Sequence, residues 1–375
     1  MADHPLFASI SILENQPLKP LTTFKIGGPA RYFARVEHEV TPALEFAEMH
    51  ALPVLILGGG SNVLISDAGL NAFVLHPCRE KIELVDENSD CVTLRVEAGE
   101  SWDHLVAYAV EHRWWGVENL SHIPGQAGAA LVQNIGAYGQ QLSDVLESAE
   151  VMEISTHTLK MLRRDECGLG YRRSIFNTSS KGRYLILSLT LRLSKLPRPN
   201  LDYADVKAWF ARLGEATPSL KQIREAIITI RNGKFPYPFE EKGGNAGSFF
   251  KNLILEPQEF EQLERSVVHG FGREALNRLR AFRDRFHSSD GIRVPTAFLI
   301  DLCGLKGCHL GGAEVNGKQP LVLINRGGAT ARDVLLLARR VRQTIFQRLG
   351  LRIDIEPELV GFGPEELEEY LALEG

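Results

Sequence analysis

Two short stretches of the chain place polar side chains where they could act on a substrate. CGLGYRRSIF carries Arg172 and Arg173 among apolar and aromatic residues, and GGNAGSFFKN carries Ser248 and Asn252 beside two phenylalanines. A rigidly held arginine can bind a carboxylate or an enolate through two parallel hydrogen bonds. The structural alternatives are a salt bridge for the arginine pair and a turn or helix cap for Ser248. Taken alone, the arginine pair favours the salt bridge.

A third stretch, IEPELVGFG, carries two carboxylates. Glu356 and Glu358 fall on one face of a predicted strand, because side chains alternate along a strand. The apolar neighbours Ile355, Leu359 and Val360 favour partial burial of this segment. An exposed strand edge explains the same pattern without any chemistry, so both interpretations stay open.

Three glycine-rich stretches near the start of the chain indicate a phosphate-binding lobe. They are KIGGPARY (25–32), LGGGSNVL (57–64) and IPGQAGAALVQNIGAYG (123–139). Successive backbone N–H groups in such loops can bind a pyrophosphate with little help from cations, and Ser61 and Asn62 add side-chain donors. Tight turns in an ordinary sheet protein are the alternative. Three such stretches in one lobe make a large nucleotide cofactor a hypothesis worth testing.

The elements that must position these residues alternate between strand and helix, which predicts an α+β or α/β protein. The predicted strands cover 53–58, 82–85, 92–99 and 184–193, and the predicted helices cover 41–51, 103–113, 219–233, 273–286 and 331–349. The last helix has Thr330 as its N-cap and Gly350 as its C-terminal stop. Its predicted apolar stripe consists of Val334, Leu337, Ala338, Val341, Ile345 and Leu349. The pattern of 198–207 is that of a loop, and the prolines and glycines of 234–252 predict a domain boundary near residue 238.

The composition predicts a globular protein of two or three domains and excludes several classes of function. The chain has 375 residues, 44% of them hydrophobic, and a net charge of −5, so it lacks a basic field for nucleic acid. No signal peptide and no apolar run of membrane-spanning length is visible, which predicts a cytoplasmic protein. The scattered cysteines, Cys303 and Cys308 included, lack the second Cys/His pair of a zinc site, so we expect no metal. The sequence also does not match the motifs of NTPases, α/β-hydrolases or zinc proteases.

The chain resembles the UDP-N-acetylenolpyruvoylglucosamine reductase family in six stretches that keep the family's order and approximate spacing. They are TTFKIGGPARYF, LILGGGSNVLI, GVENLSHIPGQAGAALVQNIGAYGQQ, GLGYRRSIF, GNAGSFFKN and IEPEL. The resemblance implies an α+β fold, with a two-subdomain FAD-binding module of the vanillyl-alcohol-oxidase type and a third α+β subdomain that binds substrate. The implied divisions are 1–82 and 83–237 for the FAD-binding subdomains, with 351–375 returning to the second of them, and 238–350 for the third subdomain.

The resemblance also implies a reaction, the reduction of UDP-N-acetylglucosamine enolpyruvate to UDP-N-acetylmuramate in bacterial peptidoglycan synthesis, and so a role in cell shape and cell division. NADPH would supply the electrons and FAD would pass a hydride to C3 of the enolpyruvyl group. Arg172 and a protonated Glu358 match the positions that stabilise the developing enolate, and Ser248 matches the general acid that protonates C2.

The binding residues implied by the resemblance are matched one by one to this sequence. The FAD contacts would be Gly58, Gly59, Gly60, Ser61, Asn62, Gly125, Gly128, Gln133, Asn134 and Tyr138. The substrate contacts would be Tyr203, Lys234 and Asn252, with Tyr203 on a loop that closes over the substrate. We expect a monomer whose partners are the nucleotide sugar and NADPH, without nucleic acid or membrane.

The sequence departs from the family pattern at a few positions, none of them a predicted catalytic residue. Leu131 stands where the family has proline, Gln126 and Ala127 replace a small hydroxyl residue and valine, Leu302 replaces a polar residue, and 253–300 is longer than usual. Two alternatives remain at this point, a related FAD oxidoreductase acting on another substrate and a non-catalytic nucleotide-sugar-binding protein. No fingerprint for the second nucleotide distinguishes NADPH from NADH.

Overall fold

The computed structural model describes residues 10–37, 39–234, 243–285, 287–288 and 291–373. Helices and strands are mixed along the chain, as the predicted α+β class requires. The predicted domain boundary near residue 238 lies outside the described residues, and so does the last residue of the predicted helix 273–286.

The strands are short, and most helices span two to five turns. The strands are β1 Ile12–Pro17, β2 Pro29–Val36, β3 Val54–Ile56, β4 Val63–Ile65, β5 Leu70–Pro77, β6 Ile82–Glu87, β7 Cys91–Glu97, β8 Gly136–Ala137, β9 Gln140–Gln141, β10 Leu146–Glu153, β11 Thr158–Arg163, β12 Tyr184–Ser194, β13 Gly244–Asn245, β14 Leu253–Leu255, β15 His287–Ser288, β16 Gly291–Val294, β17 His309–Leu310, β18 Ala313–Val315, β19 Leu323–Asn325 and β20 Glu358–Val360. The helices are α1 Thr41–Met49, α2 Trp102–Glu111, α3 Ala127–Val132, α4 Ala204–Leu213, α5 Leu220–Lys234, α6 Pro257–Arg285, α7 Thr296–Leu302, α8 Ala331–Leu349 and α9 Pro364–Leu371.

The chain forms two compact units. The first comprises Met1–Gln16, Ala30–Gly59 and Asn71–Gly233, and the second comprises Pro17–Pro29, Gly60–Leu70 and Lys234–Gly375. The C-terminal residues belong to the second unit, where β20 pairs in parallel with β4 and Tyr370 of α9 lies in the core. The division into three subdomains, with 351–375 returning to 83–237, stays a prediction.

Two sheets form the framework of the first unit. One has the strand order β1–β2–β5–β3, and the other has the order β11–β10–β12–β7–β6 with antiparallel pairing. At the centre of the second sheet, β12 buries Leu189, Leu191 and Leu193 while Arg192 is exposed. This alternation is the pattern of a strand with one face on a core, and it is what the sequence predicted for 184–193.

Helices α4 and α5 pack together on an apolar cluster of the first unit that includes Trp115 and Tyr138. The sequence predicted α5 within one residue at either end, because Ile223 and Ile227 recur at helical spacing and are buried. It missed α4, since 198–207 has the proline-rich composition of a loop. The helix begins at Ala204 because Val206 and Phe210, four residues apart, both bury their side chains in this cluster.

The second unit contains sheets of order β13–β19–β18–β17 and β14–β16–β15, together with the β20–β4 pair. Helix α8 crosses its core as predicted. Thr330 caps the helix by accepting a hydrogen bond from the Asp333 N–H at 3.0 Å, and Gly350 ends it with φ 72°. Asp67 Oδ2 accepts a further bond from the Ala331 N–H at 2.8 Å. The predicted apolar stripe is buried throughout, at Val334, Leu337, Ala338, Val341, Ile345 and Leu349.

Helix α6 accounts for most of the segment that is longer than the family pattern. Its second half begins directly after Gly272, whose φ of 83° interrupts the helix, so the predicted start at residue 273 agrees with the structure. The first half, from Pro257, was not predicted. The two halves are joined by a hydrogen bond from Arg280 Nε to Glu264 Oε1 at 2.7 Å, and both bury leucines in the core of the second unit.

Candidate active site

Residues 58–62 after β3 form a loop that is called the glycine loop below. Its first two residues, Gly58 and Gly59, belong to the first unit and lie against the loop before α3. β3 is parallel to β5, so this loop leaves the carboxyl end of a parallel strand, which is where open α/β sheets bind ligands. A Cβ atom on Gly59 would lie 2.5 Å from the Cα of Gly125, and one on Gly128 would lie 2.7 Å from the Cβ of Ala98. The close approach of the backbones therefore requires glycine at these positions.

A buried acceptor lies next to the same glycines. Gln126 Nε2 donates to the Pro77 carbonyl at 2.9 Å, whereas Gln126 Oε1 is buried and has no hydrogen-bond partner among the described residues. A Cβ atom on Gly58 would lie 3.4 Å from this oxygen, so Oε1 is close to the glycine loop. A buried acceptor without a partner is costly, and a bound ligand can satisfy it. The hydroxyl groups of FAD are suitable donors, so the residues present fit this cofactor.

Helix α3 connects the two predicted FAD-binding segments of the third glycine-rich stretch. Leu131 is fully buried within it, so the helix continues through the position where the family has proline. Gln133 is the C-cap of α3. Asn134 follows with a φ of 44°, and its side chain is buried and hydrogen-bonded to Gly170 and Ser143. The roles of Gln133 and Asn134 as FAD contacts stay predictions.

Arg172 lies on a tight turn of the first unit. Gly170 and Arg173 exchange backbone hydrogen bonds of 3.0 and 3.2 Å across this turn, and Arg172 has a φ of 53°. Positive φ is uncommon for a residue with a side chain and often marks a functional position. Arg172 is half-buried whereas Arg173 is exposed. The residue pattern did not show which of the two arginines is held rigidly. The structure favours Arg172, because its side chain is partly enclosed by neighbouring residues.

In the second unit, Thr23 joins the remainder of the glycine loop to the segment that leads to Ser248. The Thr23 N–H donates to the Gly60 carbonyl at 3.0 Å, and Thr23 Oγ1 donates to the Asn245 carbonyl at 2.7 Å. The Asn245 N–H returns a bond to the Thr23 carbonyl at 3.1 Å. Gly60 has a φ of 59°, and a Cβ atom there would collide with the Leu21 carbonyl oxygen.

Ser248 follows a turn formed by Asn245 and Gly247. Asn245 Oδ1 accepts a bond from the Gly247 N–H at 2.9 Å, and the φ of Gly247 is 70°. Ser248 itself is half-buried, and the next two residues, Phe249 and Phe250, are fully buried. The core therefore fixes the backbone on one side of Ser248 and the asparagine turn fixes it on the other side.

Glu358 lies on a strand segment that adjoins both Ser248 and the glycine loop. The Glu356 N–H donates to the Phe249 carbonyl at 2.9 Å, and Phe250 bridges Ile355 in antiparallel fashion. Two residues further on, the Glu358 N–H donates to the Asn62 carbonyl at 3.0 Å as β20 pairs with β4. Glu358 is half-buried, so its carboxyl group lies at the edge of the second unit's core.

The structure divides the predicted catalytic and FAD-binding residues between the two units. In the second unit it brings together Ser248, Glu358 and the segment Gly60, Ser61 and Asn62. In the first unit it brings together Gly58, Gly59, Gly125 and Gly128. A hydrogen bond from Asn134 Nδ2 to the Gly170 carbonyl also connects the turn of Arg172 to the end of α3.

Tyr203 lies at the N-cap of α4, where 41% of its surface is exposed. Its ring packs edge-to-face on the ring of Tyr138, with 5.1 Å between the centroids. The loop before it is held by Asn119, whose Nδ2 donates to the carbonyls of Tyr138 and Asn200 at 2.8 Å each. The preceding residue, Glu118, is fully buried, and this burial raises the pKa of its carboxyl group. An exposed aromatic residue on an anchored loop suits the closing role predicted for Tyr203.

Lys234 is the last residue of α5, and that helix is held by a partly buried ion pair. Arg224 donates to both oxygens of Asp103 at 2.6 and 2.9 Å, and the His122 N–H donates to Asp103 as well. Burial by itself would raise the pKa of the Asp103 carboxyl group, but the hydrogen bonds from Arg224 and His122 lower it below its usual value. The pair thus stays charged at neutral pH and fixes the helix that ends at Lys234.

Asn252, the last predicted substrate contact, also has a structural task. Its Oδ1 accepts a bond from the Thr296 N–H at 3.1 Å and thereby caps α7. Leu302, which departs from the family pattern, ends α7 and packs against the core of the second unit.

The described part of the chain contains no group of three His, Cys, Asp or Glu side chains that could hold a metal ion. Among the helices of the described ranges, none is both long enough and apolar enough to cross a membrane.

Three residues of this site were missed or undervalued from the sequence. Thr23 and Asn245 lie in the TTF and GGN stretches, which carried the resemblance but were not assigned a role. Gln126 was treated only as a departure from the family. For Asn245 and Gln126, a polar side chain among glycines and alanines was the available signal, whereas Thr23 had no such signal.

The fold and site define a flavin-dependent oxidoreductase. Residues 30–161 match the family model of an FAD binding domain, which confirms the predicted FAD-binding module. Residues 237–360 match the model of the UDP-N-acetylenolpyruvoylglucosamine reductase C-terminal domain. The chain belongs to the UDP-N-acetylenolpyruvoylglucosamine reductase family.

Known proteins resemble the chain over nearly its whole length. It is 36% identical over 354 residues to the UDP-N-acetylenolpyruvoylglucosamine reductase of Amoebophilus asiaticus. This match covers 94% of this chain and 100% of that protein. The enzyme of the same description from Pseudomonas aeruginosa is 37% identical over 94% of this chain and 99% of its own length. The crystal structure of UDP-N-acetylenolpyruvylglucosamine reductase from Thermus caldophilus shares the fold, with a TM-score of 0.61 at 24% identity over 94% of this chain and 99% of that one.

Proposed function

We propose that the chain reduces UDP-N-acetylglucosamine enolpyruvate to UDP-N-acetylmuramate, with FAD as bound cofactor and NADPH as electron donor. The observation that carries the proposal is the placement of Ser248 and Glu358 on paired segments of the second unit, beside the end of the glycine loop. A hydroxyl and a carboxyl group so placed suit a reaction that builds and then protonates a negative charge. The names of the relatives support this substrate.

Each residue has a distinct task in the proposed reaction. When bound, FAD would supply the redox chemistry that links NADPH to C3 of the enolpyruvyl group by hydride transfer. Arg172 would bind the carboxylate of the substrate and stabilise the negative charge that develops there. Glu358 would share this charge through a hydrogen bond, and Ser248 would donate its hydroxyl proton to C2. The main-chain N–H groups of the glycine loops would hold the pyrophosphate of the cofactor.

The absorption spectrum of the purified protein tests the proposal. The flavin bands are expected to be present, to bleach on anaerobic addition of NADPH, and to return on addition of the enolpyruvyl nucleotide sugar, with UDP-N-acetylmuramate as the product. NADH in place of NADPH measures the preference for the donor. Flavin that bleaches but is not reoxidised by this substrate would indicate a related oxidoreductase, and a protein that binds the nucleotide sugar without flavin would be the non-catalytic alternative.

Gln126→Leu is expected to weaken FAD binding by roughly five- to tenfold, because one hydrogen bond to Oε1 contributes about 1 kcal/mol. Titration of the apoprotein with FAD, followed by quenching of flavin fluorescence, gives the Kd. Gln126→Glu keeps an acceptor at the same place and serves as the matched control. A Kd for Gln126→Leu within twofold of wild type contradicts the contact.

Tyr203→Phe is expected to raise the KM for the nucleotide sugar roughly tenfold or more, since a hydrogen bond to a charged group such as the diphosphate contributes about 1.5–3 kcal/mol. The rate at which NADPH bleaches the flavin is expected to stay at the wild-type value. Steady-state kinetics and stopped-flow absorbance measure the two quantities. An unchanged KM shows that Tyr203 does not bind the substrate.

We also propose that the protein works as a monomer in the cytoplasm, where a role in peptidoglycan synthesis would link it to cell division. Sedimentation equilibrium of the FAD-loaded protein tests the monomer, and localisation of a tagged chain tests the compartment.

A further inference from the structure

The turn that carries Arg172 needs support from outside itself. It consists of Gly170 to Arg173 closed by two backbone hydrogen bonds, and Arg172 is in the left-handed region with φ 53°. A non-glycine residue in this region is strained, so the conformation persists only where neighbouring groups fix it. The side chains of two asparagines, Asn134 and Asn177, supply such contacts.

Asn134 holds the beginning of the turn. Its Nδ2 donates to the Gly170 carbonyl at 3.0 Å and to Ser143 Oγ at 3.3 Å, and its Oδ1 accepts from the Ser143 N–H at 2.9 Å. The residue is 3% exposed and has a φ of 44°. Both ends of its carboxamide are therefore used within the protein, between the end of α3 and the turn.

Asn177 holds the other end. Its Nδ2 donates to the carbonyl of Arg172 itself at 3.1 Å, and its Oδ1 accepts from the Ser174 N–H at 2.9 Å. Ser174 is fully buried, and its Oγ donates to the Val132 carbonyl at 2.5 Å. The residues after the turn are thus tied to α3 as firmly as the residues before it.

We propose that Asn134 and Asn177 are positioning residues that act through Arg172 and fix its guanidinium group for the substrate. The inference rests on the proposed function, and it gives Asn134 a different task from the FAD contact that the resemblance implied. The side-chain NH2 groups of Asn134 and Asn177 donate to the carbonyls of Gly170 and Arg172 in the turn. Their side-chain oxygens accept from the backbone N–H groups of Ser143 and Ser174. A displacement of about 1 Å at a reacting group can reduce a rate about 100-fold.

The experiment compares variants in which a carboxylate oxygen replaces the donor amide group. Asn134→Asp and Asn177→Asp keep the acceptor oxygens for Ser143 and Ser174 but lose the donors to Gly170 and Arg172. Each is expected to slow reoxidation of the NADPH-reduced enzyme by the enolpyruvyl nucleotide sugar roughly 10- to 100-fold. Bleaching of the flavin by NADPH and the Kd for FAD are expected to stay within about twofold of wild type.

The decisive measurement combines Asn134→Ala with Arg172→Ala. If Asn134 acts through Arg172, the double variant is no slower in reoxidation than Arg172→Ala alone, because the support has nothing left to position. Multiplying losses would overturn the inference and give Asn134 an independent task in the fold or in FAD binding. Ser143→Ala, which removes only the weaker 3.3 Å bond, is the matched control and is expected to react at the wild-type rate.

The outcomes separate the inference from the proposed function. If the wild-type enzyme turns over the substrate and the Asn134→Asp and Asn177→Asp variants are reoxidised at the same rate, the positioning role alone is overturned. A wild-type enzyme whose reduced flavin is not reoxidised by the nucleotide sugar overturns the proposed function and the inference together. If Asn134→Ala fails to fold, Asn177→Asp carries the same test, since its cap to Ser174 is retained.

Discussion

Ser248→Ala is expected to be reduced by NADPH at nearly the wild-type rate and then to be reoxidised by the enolpyruvyl substrate at least about 100-fold more slowly. Hydride transfer from NADPH needs no proton from the protein, whereas the charge left on the substrate must be quenched at C2. Ser248 carries the hydroxyl group that the family pattern assigns to this step. Stopped-flow absorbance under anaerobic conditions resolves the two half-reactions with one protein sample.

The magnitude follows from what a positioned general acid contributes. Such a group typically accelerates its step by about 10²–10⁴-fold, or roughly 3–5 kcal/mol. Ser248→Cys is the matched control, and it is expected to recover part of the rate because a thiol is the better acid. The buried Phe249 and Phe250 keep the backbone in place in both variants, so the comparison isolates the proton donor. Equal slowing of both half-reactions would instead assign Ser248 to the fold or to flavin binding.

Arg172→Met is expected to lower kcat by roughly 10²–10³-fold, the range found when a donor to a developing oxyanion is removed. In the proposed reaction the guanidinium group stabilises charge that grows during the reaction, so the loss is expected in kcat of the second half-reaction more than in KM. Steady-state kinetics with varied nucleotide sugar, together with stopped-flow reoxidation, measure both.

Arg173→Met is the control that the chain itself offers. Arg173 follows Arg172 directly and closes the same turn, but it does so through its backbone, and its side chain is exposed. Its replacement is expected to change kcat by less than about threefold, in keeping with the small effect of most surface substitutions. Equal losses in the two variants would show that net positive charge near the turn matters, and would contradict a specific role for Arg172.

The sequence predicts best those elements whose ends carry their own signals. Helix α8 was predicted residue by residue, because Thr330, Gly350 and a regular apolar stripe define its start, its end and its buried face. The glycine loops carry a similar local signal, since the close approach of Gly59 and Gly125 leaves glycine as the one residue type that fits. Their role as the cofactor site stays a prediction.

Long-range pairing was not predictable in this way. Helix α4 follows a proline-rich segment and depends on burial against Trp115 and Tyr138, which a local pattern does not show. The pairing of β20 with β4 joins segments far apart in the chain, and no local signal indicates which strand receives the C-terminal segment. The support of the Arg172 turn by Asn134 has the same origin, because a side chain that donates to a distant carbonyl leaves no trace in spacing or composition.

The β20–β4 pair has a consequence for the order in which the protein matures. Strand β4 directly follows the glycine loop, whereas its partner, Glu358–Val360, is far along the chain and is synthesised much later. N-terminal segments generally begin to fold during synthesis, whereas pairing between distant segments must wait for the later one. The strand next to the glycine loop therefore stays without this partner until Glu358–Val360 has been synthesised.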